Sequence, residues 1–167
     1  SPADGITVTL NCVICAGPWQ IFGGNGTFNG SPQVSEVYPE WWGAVGDGIA
    51  DDTKALQAAA DFCFQAYNES LMLKTLRKTY RITSTLQIRC HADMSLSRIN
   101  SDATFSPSIK IGSDNEATFR LYFKGPSLYN ISKRGSSTGW GPSEVPYPNA
   151  IGIQAMRLNE CDFTNTL

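Results

Sequence analysis

Apolar residues recur in two rhythms along this chain. Through most of it they alternate with polar ones: Ile6, Val8 and Leu10 among threonines, then Tyr80, Ile82, Leu86 and Ile88 across Lys78–Ile88. Further alternating sets follow at Met94 and Leu96, Ile109 and Ile111, Phe119, Leu121 and Phe123, Ile151 and Ile153, Met156 and Leu158, and Cys161 and Phe163. A period of two turns every second side chain toward one face, so each set predicts a short strand on a core. Trp19–Phe22 and Thr27–Phe28, on either side of the turn-rich Gly23-Gly24-Asn25-Gly26, read as further short strands. Only one stretch keeps helical spacing. There Leu56, Ala59, Cys63 and Ala66 form an apolar seam, while Lys54, Gln57, Asp61 and Gln65 are free to face water. A doubly wound α/β sheet needs a helix after most strands and does not fit this pattern. A β-solenoid does, because each coil asks for a few inward residues and tolerates loops of varied length.

The segment just before the helix has its own physical logic. Gly43, Gly46 and Gly48 permit positive φ and close backbone approach, which predicts a compact irregular turn after Trp41 and Trp42. Asp51 or Asp52 is then the natural helix cap, its carboxylate accepting from free N–H groups of the first turn. Paired aspartates also suit catalytic acids or a calcium loop, but capping accounts for them without a partner, and the Glu that completes an EF-hand is missing. Two tryptophans beside glycines can stack on sugar or bury against the cap, and burial is the commoner outcome.

Three stretches carry a family resemblance. Trp41-Trp42-Gly43-Ala44-Val45-Gly46-Asp47-Gly48-Ile49-Ala50-Asp51-Asp52-Thr53-Lys54-Ala55-Leu56-Gln57 resembles W-(F/W)-G-A-x-G-D-G-x-x-D-D-T-x-A-(I/L)-Q, the entry motif of the pectate-lyase-like right-handed parallel β-helix superfamily. With Tyr38-Pro39-Glu40 in front, it is similar to the version in bacteriophage tailspikes and related polysaccharide-processing proteins. Ala16–Phe22 resembles the A-G-x-(Y/W)-Q-I-F element upstream of that motif, and Lys78–Ile88 resembles the first coil, G-x-Y-x-(I/L)-x-x-x-L-x-(I/L), with Lys78 where glycine is usual. The resemblance implies a mainly β fold: a right-handed single-stranded parallel β-helix with one N-terminal capping α-helix, preceded by short β-strands. Residues 1–37 would be the N-terminal strand segment, and 38–167 the capping motif, helix and first coils. It implies a tailspike or tail-fibre receptor-binding protein, a virion homotrimer joined to other tail proteins, which recognises and in longer form depolymerises capsule or lipopolysaccharide glycans. The alternatives are a secreted bacterial polysaccharide lyase or hydrolase of the same fold, or a non-enzymatic structural tail module. Nothing like a C-terminal cap follows the last strand pattern, so catalytic residues are expected outside this chain.

Composition narrows the chemistry. A net charge of -2 over 167 residues gives no reason for nucleic-acid binding, and no run approaches the ~18–20 apolar residues of a membrane span, so membrane insertion is not expected. The N-terminus lacks a signal-peptide pattern, which suits a virion, mature or truncated protein equally. Cys12, Cys15, Cys63, Cys90 and Cys161 are odd in number and scattered, so buried free thiols are expected rather than a disulfide framework. Cys12-Val13-Ile14-Cys15 has zinc or redox spacing, but His91 is the lone histidine, and no metal or cofactor is expected. Among Asp114, Glu116, Glu144, Glu160 and Asp162 no spacing singles out an acid–base pair, so no catalytic residue is assigned. The Gly- and Pro-rich stretch 132–149 reads as a long surface loop. Trp140 and Tyr147 there are candidate glycan contacts, with Arg134 and Asn149 as hydrogen-bonding partners, although aromatics in such a loop also serve as its anchors. Lys74, Arg77, Lys78 and Arg81 read as a solvated basic face.

Overall fold

The structure, a computed structural model, describes residues 5–24, 26–65, 71–101, 107–112, 118–129, 153–156 and 158–164. Short strands, one short 3-10 helix and, among the described residues, a single α-helix, α1 (Thr53–Gln65), make up its regular elements. An outlying pair, β1 (Thr7–Thr9) and β2 (Thr27–Asn29), forms a small parallel sheet. The remaining strands form three sheets in which each pairing is parallel. The first holds β3 (Glu36–Val37), β5 (Met72–Lys74), β8 (His91–Asp93), β11 (Thr118–Lys124) and β14 (Leu158–Thr164). The second holds β4 (Asp47–Asp51), β6 (Thr79–Ile82), β9 (Arg98–Ser101) and β12 (Ser127–Tyr129). The third holds β7 (Leu86–Ile88), β10 (Ile109–Gly112) and β13 (Ile153–Met156).

Within each sheet the strands lie side by side in chain order. Along the chain the described strands enter the first, second and third sheets in that order, then return to the first. The opening round differs at one point: after β3 and β4, α1 stands where later rounds place a third-sheet strand. It packs against β7, the end strand of that sheet.

The parallel register turns the alternating pattern into rows of like residues. Val37, Leu73, Ala92 and Phe123 stack in the first sheet, Tyr80 on Ile99 in the second, and Leu86 on Ile109 and Ile88 on Ile111 in the third. All of these side chains are buried, and all three sheets contribute to one hydrophobic cluster. A one-residue slip would move each row to the opposite face, so burial itself fixes the register.

Some expectations changed. Trp19–Phe22 is not a strand: the Ile21 and Phe22 N–H groups both donate to the Trp41 carbonyl, at 3.2 and 2.8 Å, instead of entering a ladder. Leu96 sits exposed in a turn, so the Met94 set supplies one core residue rather than two. Ile6 is exposed as well. Among the described residues no helix is long and apolar enough to cross a membrane.

Candidate functional site

The 38–57 segment is built as a set of interlocking clamps. Pro39–Trp42 makes a short 3-10 helix with proline at its start, where the missing N–H costs nothing. Gly43, at φ 89°, ends it and donates to the Glu40 carbonyl at 2.9 Å. The left-handed conformation requires glycine there. Trp41 is fully buried, and its indole N–H donates to the Gly17 carbonyl at 2.9 Å. Trp42 is half-buried, its ring 4.8 Å from that of Phe22 and 5.4 Å from that of Phe62 on α1. Trp41 therefore ties the upstream chain to the 3-10 helix, and Trp42 ties it to α1.

The three aspartates divide the backbone between them. Asp47 Oδ1 accepts from the N–H groups of Ile49 and Ala50, both at 2.8 Å, which shapes the bulge where β4 leaves register with β6. Asp51 Oδ1 accepts the Thr53 N–H at 3.0 Å, and its Oδ2 takes the Thr83 hydroxyl at 2.8 Å. Asp52 has the cap position by backbone, since its carbonyl accepts from Leu56 N–H at 2.9 Å, but its carboxylate turns the other way. Only 2% exposed, that carboxylate takes the Val45 and Gly46 N–H groups at 2.7 and 3.1 Å. Asp51 thus holds the helix start, and Asp52 holds the glycine turn.

Their titration follows from these contacts. Burial pushes the Asp52 carboxyl up, and its two N–H donors only partly offset that. Burial also pushes Asp51 up, but there the Thr53 hydroxyl and N–H, the Thr83 hydroxyl and the Arg81 charge outweigh it and leave the carboxyl below 3.8. A folded pKa below the unfolded value adds stability that is complete above the unfolded pKa and disappears as pH falls through the folded one. Asp51→Ala should accordingly cost about 1 kcal/mol at neutral pH, a usual cap value. In urea titrations the gap between wild type and variant should close steadily below about pH 4. A gap unchanged down to pH 2 would contradict an ionised cap.

A buried charge lies beneath the motif. Glu40, 3% exposed, accepts the Tyr80 hydroxyl at 2.7 Å and the Lys78 ammonium at 3.1 Å on one oxygen. Tyr80 also receives the Leu76 N–H at 3.2 Å, and burial followed by its bond to Glu40 raises its phenol well above the usual value. The group joins the 3-10 helix to β6. Lys74 likewise pairs with Glu36, so Lys74 and Lys78 serve as ion-pair partners rather than as parts of a solvated basic face.

Gln57 has the least expected role. Its side-chain amide accepts the Gln87 N–H at 2.9 Å and donates to the Gln87 carbonyl at 3.1 Å. Those are the two backbone groups with which a neighbouring strand would pair, while the adjacent Leu86 N–H points the other way, to Ser108 at 2.9 Å. Gln57 therefore faces the sheet rather than water, and Asp61 accepts from both Gln57 at 3.0 Å and Arg89 at 3.5 Å. The clue in the sequence was the glutamine that closes the motif.

Beside this helix lies a groove of about 440 Å³, lined among others by Phe28, Trp42, Lys54, Asp61 and Gln65. It combines aromatic surface with both signs of charge. His91 Nδ1 accepts the Tyr122 N–H at 2.9 Å, a structural use of the ring. Cys12 and Cys15 are exposed free thiols, and no cluster able to hold a metal occurs among the described residues. Trp140, Tyr147, Arg134, Asn149, Asp114, Glu116 and Glu144 lie outside the described residues, and Glu160 and Asp162 fall on β14. Comparison with protein-family models, curated proteins and solved structures finds no match to this chain.

Proposed function

We propose that this chain is the entrance of a right-handed single-stranded parallel β-helix of the pectate-lyase-like kind. It serves a bacteriophage tailspike or tail fibre that recognises bacterial surface polysaccharide. The carrying observation is the recurring order of the strands: the same three parallel sheets are entered in the same sequence, around one buried cluster. That order is the one a coiling chain produces, and parallel crossovers favour the right hand. The helix at the open edge of the third sheet supports the reading from another side, since solenoids need their first edge covered. The glycan, the homotrimer and the other tail proteins follow from the motif resemblance.

A structural tail module without chemistry is the second reading. It is favoured by the commitment of Glu40, Asp47, Asp51 and Asp52 to contacts that hold the fold. The two readings separate when the protein is incubated with isolated capsule and lipopolysaccharide from a panel of bacteria. The receptor-binding reading expects retention by the polysaccharide of particular strains and a three-chain mass by light scattering. A stable monomer that none of the polysaccharides retains would overturn it, and release of oligosaccharides would mark the chain as catalytic.

A further inference from the structure

We propose that Cys63 and Cys90 form a cross-linking site, where a disulfide fastens α1 to the corner between β7 and β8. Both are free thiols in the hydrophobic core, 4% and 7% exposed, one near the end of the helix and the other just after β7. Contacts on either side align the two segments. Gln57 bonds both backbone groups of Gln87, Asp61 meets Arg89 at 3.5 Å, and the Arg89 guanidinium lies 4.1 Å from the centre of the Phe64 ring. The helix from 57 to 64 therefore runs alongside the chain from 87 to 89, and Cys63 and Cys90 both lie at the end of that contact, inside the same buried cluster. The neighbouring Cys90 thiol and burial together hold the Cys63 thiol well above its usual pKa.

The chemistry needs one co-reactant, a small disulfide such as oxidised glutathione. One cysteine thiolate attacks it, forming a mixed disulfide and expelling one thiol; the second cysteine attacks the mixed disulfide and expels the other. The S–S bond of the reagent breaks, the Cys63–Cys90 bond forms, and the two electrons and two protons leave on the released thiols. Because both sulfurs are buried, attack waits for α1 to lift from β7. The link should then form slowly in folded protein and quickly from unfolded chains.

The test uses the full chain with Cys12→Ser and Cys15→Ser, equilibrated in oxidising and in reducing glutathione buffer. Non-reducing digestion after oxidation should yield one joined peptide pair containing Cys63 and Cys90, lighter by two hydrogens. The melting temperature should rise by about 10 °C, the loop-closure expectation for a segment of this length, and return on reduction. Adding Cys63→Ser should abolish the pair and the shift together. The proposal is overturned if both thiols can still be alkylated after oxidation and denaturation, if Cys161 is the partner instead, or if the linked protein melts no higher than the reduced one.

Discussion

Replacing Trp41 by alanine is expected to lower the free energy of unfolding by about 3–5 kcal/mol, read as an earlier midpoint in urea at unchanged slope. The residue has no exposed surface, and its ring lies 6.0 Å from that of Phe22, 6.0 Å from that of Tyr38 and 6.3 Å from that of Trp42. Alanine would leave a cavity among three aromatic rings that are themselves anchored elsewhere, so collapse can fill little of it. The Gly17 carbonyl would also lose its donor. Trp41→Phe separates the two effects by keeping most of the volume, and it should cost roughly 1–2 kcal/mol. An alanine cost under about 1 kcal/mol would mean that the ring is not seated in this core.

Gln57→Ala is expected to cost about 2–4 kcal/mol although it removes no core volume. Two backbone groups of Gln87 would lose the side chain that bonds them at the end of a sheet. The penalty for leaving a donor and an acceptor unpaired against a packed helix exceeds the net worth of the bonds themselves. Asp61 and Arg89 stay in reach of each other, so the helix should remain docked while the strand edge beneath it loosens. Gln57→Glu provides a sharper contrast, because a carboxylate still accepts from the Gln87 N–H but sets a negative oxygen against its carbonyl. It should be at least as destabilising at neutral pH and recover part of the loss in acid.

The parts of this molecule that were legible in its sequence are those where local chemistry decides. Period-two alternation marked β6, β7, β10 and β11 because parallel stacking buries every second side chain. The glycines of the turn were legible because φ of 68° at Gly46 and 78° at Gly48 exclude most other residues. What escaped was set by distant partners. Asp51 and Asp52 look alike in a list, yet Asp51 sits beside Thr83 and Asp52 beside the Val45–Gly46 amides, so only tertiary contacts assign their jobs. Trp19–Phe22 has the residues of a strand, but the Trp41 carbonyl takes its N–H groups before a ladder can. Gln57 looked like a water-facing helical residue, since no local pattern reveals the sheet edge lying 30 residues further along the chain. The Cys63–Cys90 contact was equally invisible in a count of scattered thiols.

The central claim is that α1 stands in for a missing strand and closes the open end of the third sheet. Amide hydrogen exchange at Gln87, resolved residue by residue by NMR, tests it most directly. The account predicts a protected Gln87 amide in the wild-type protein and fast exchange in Gln57→Ala, with Leu86, whose partner is Ser108, still protected in both. Equal protection of Gln87 with and without the Gln57 side chain would contradict it.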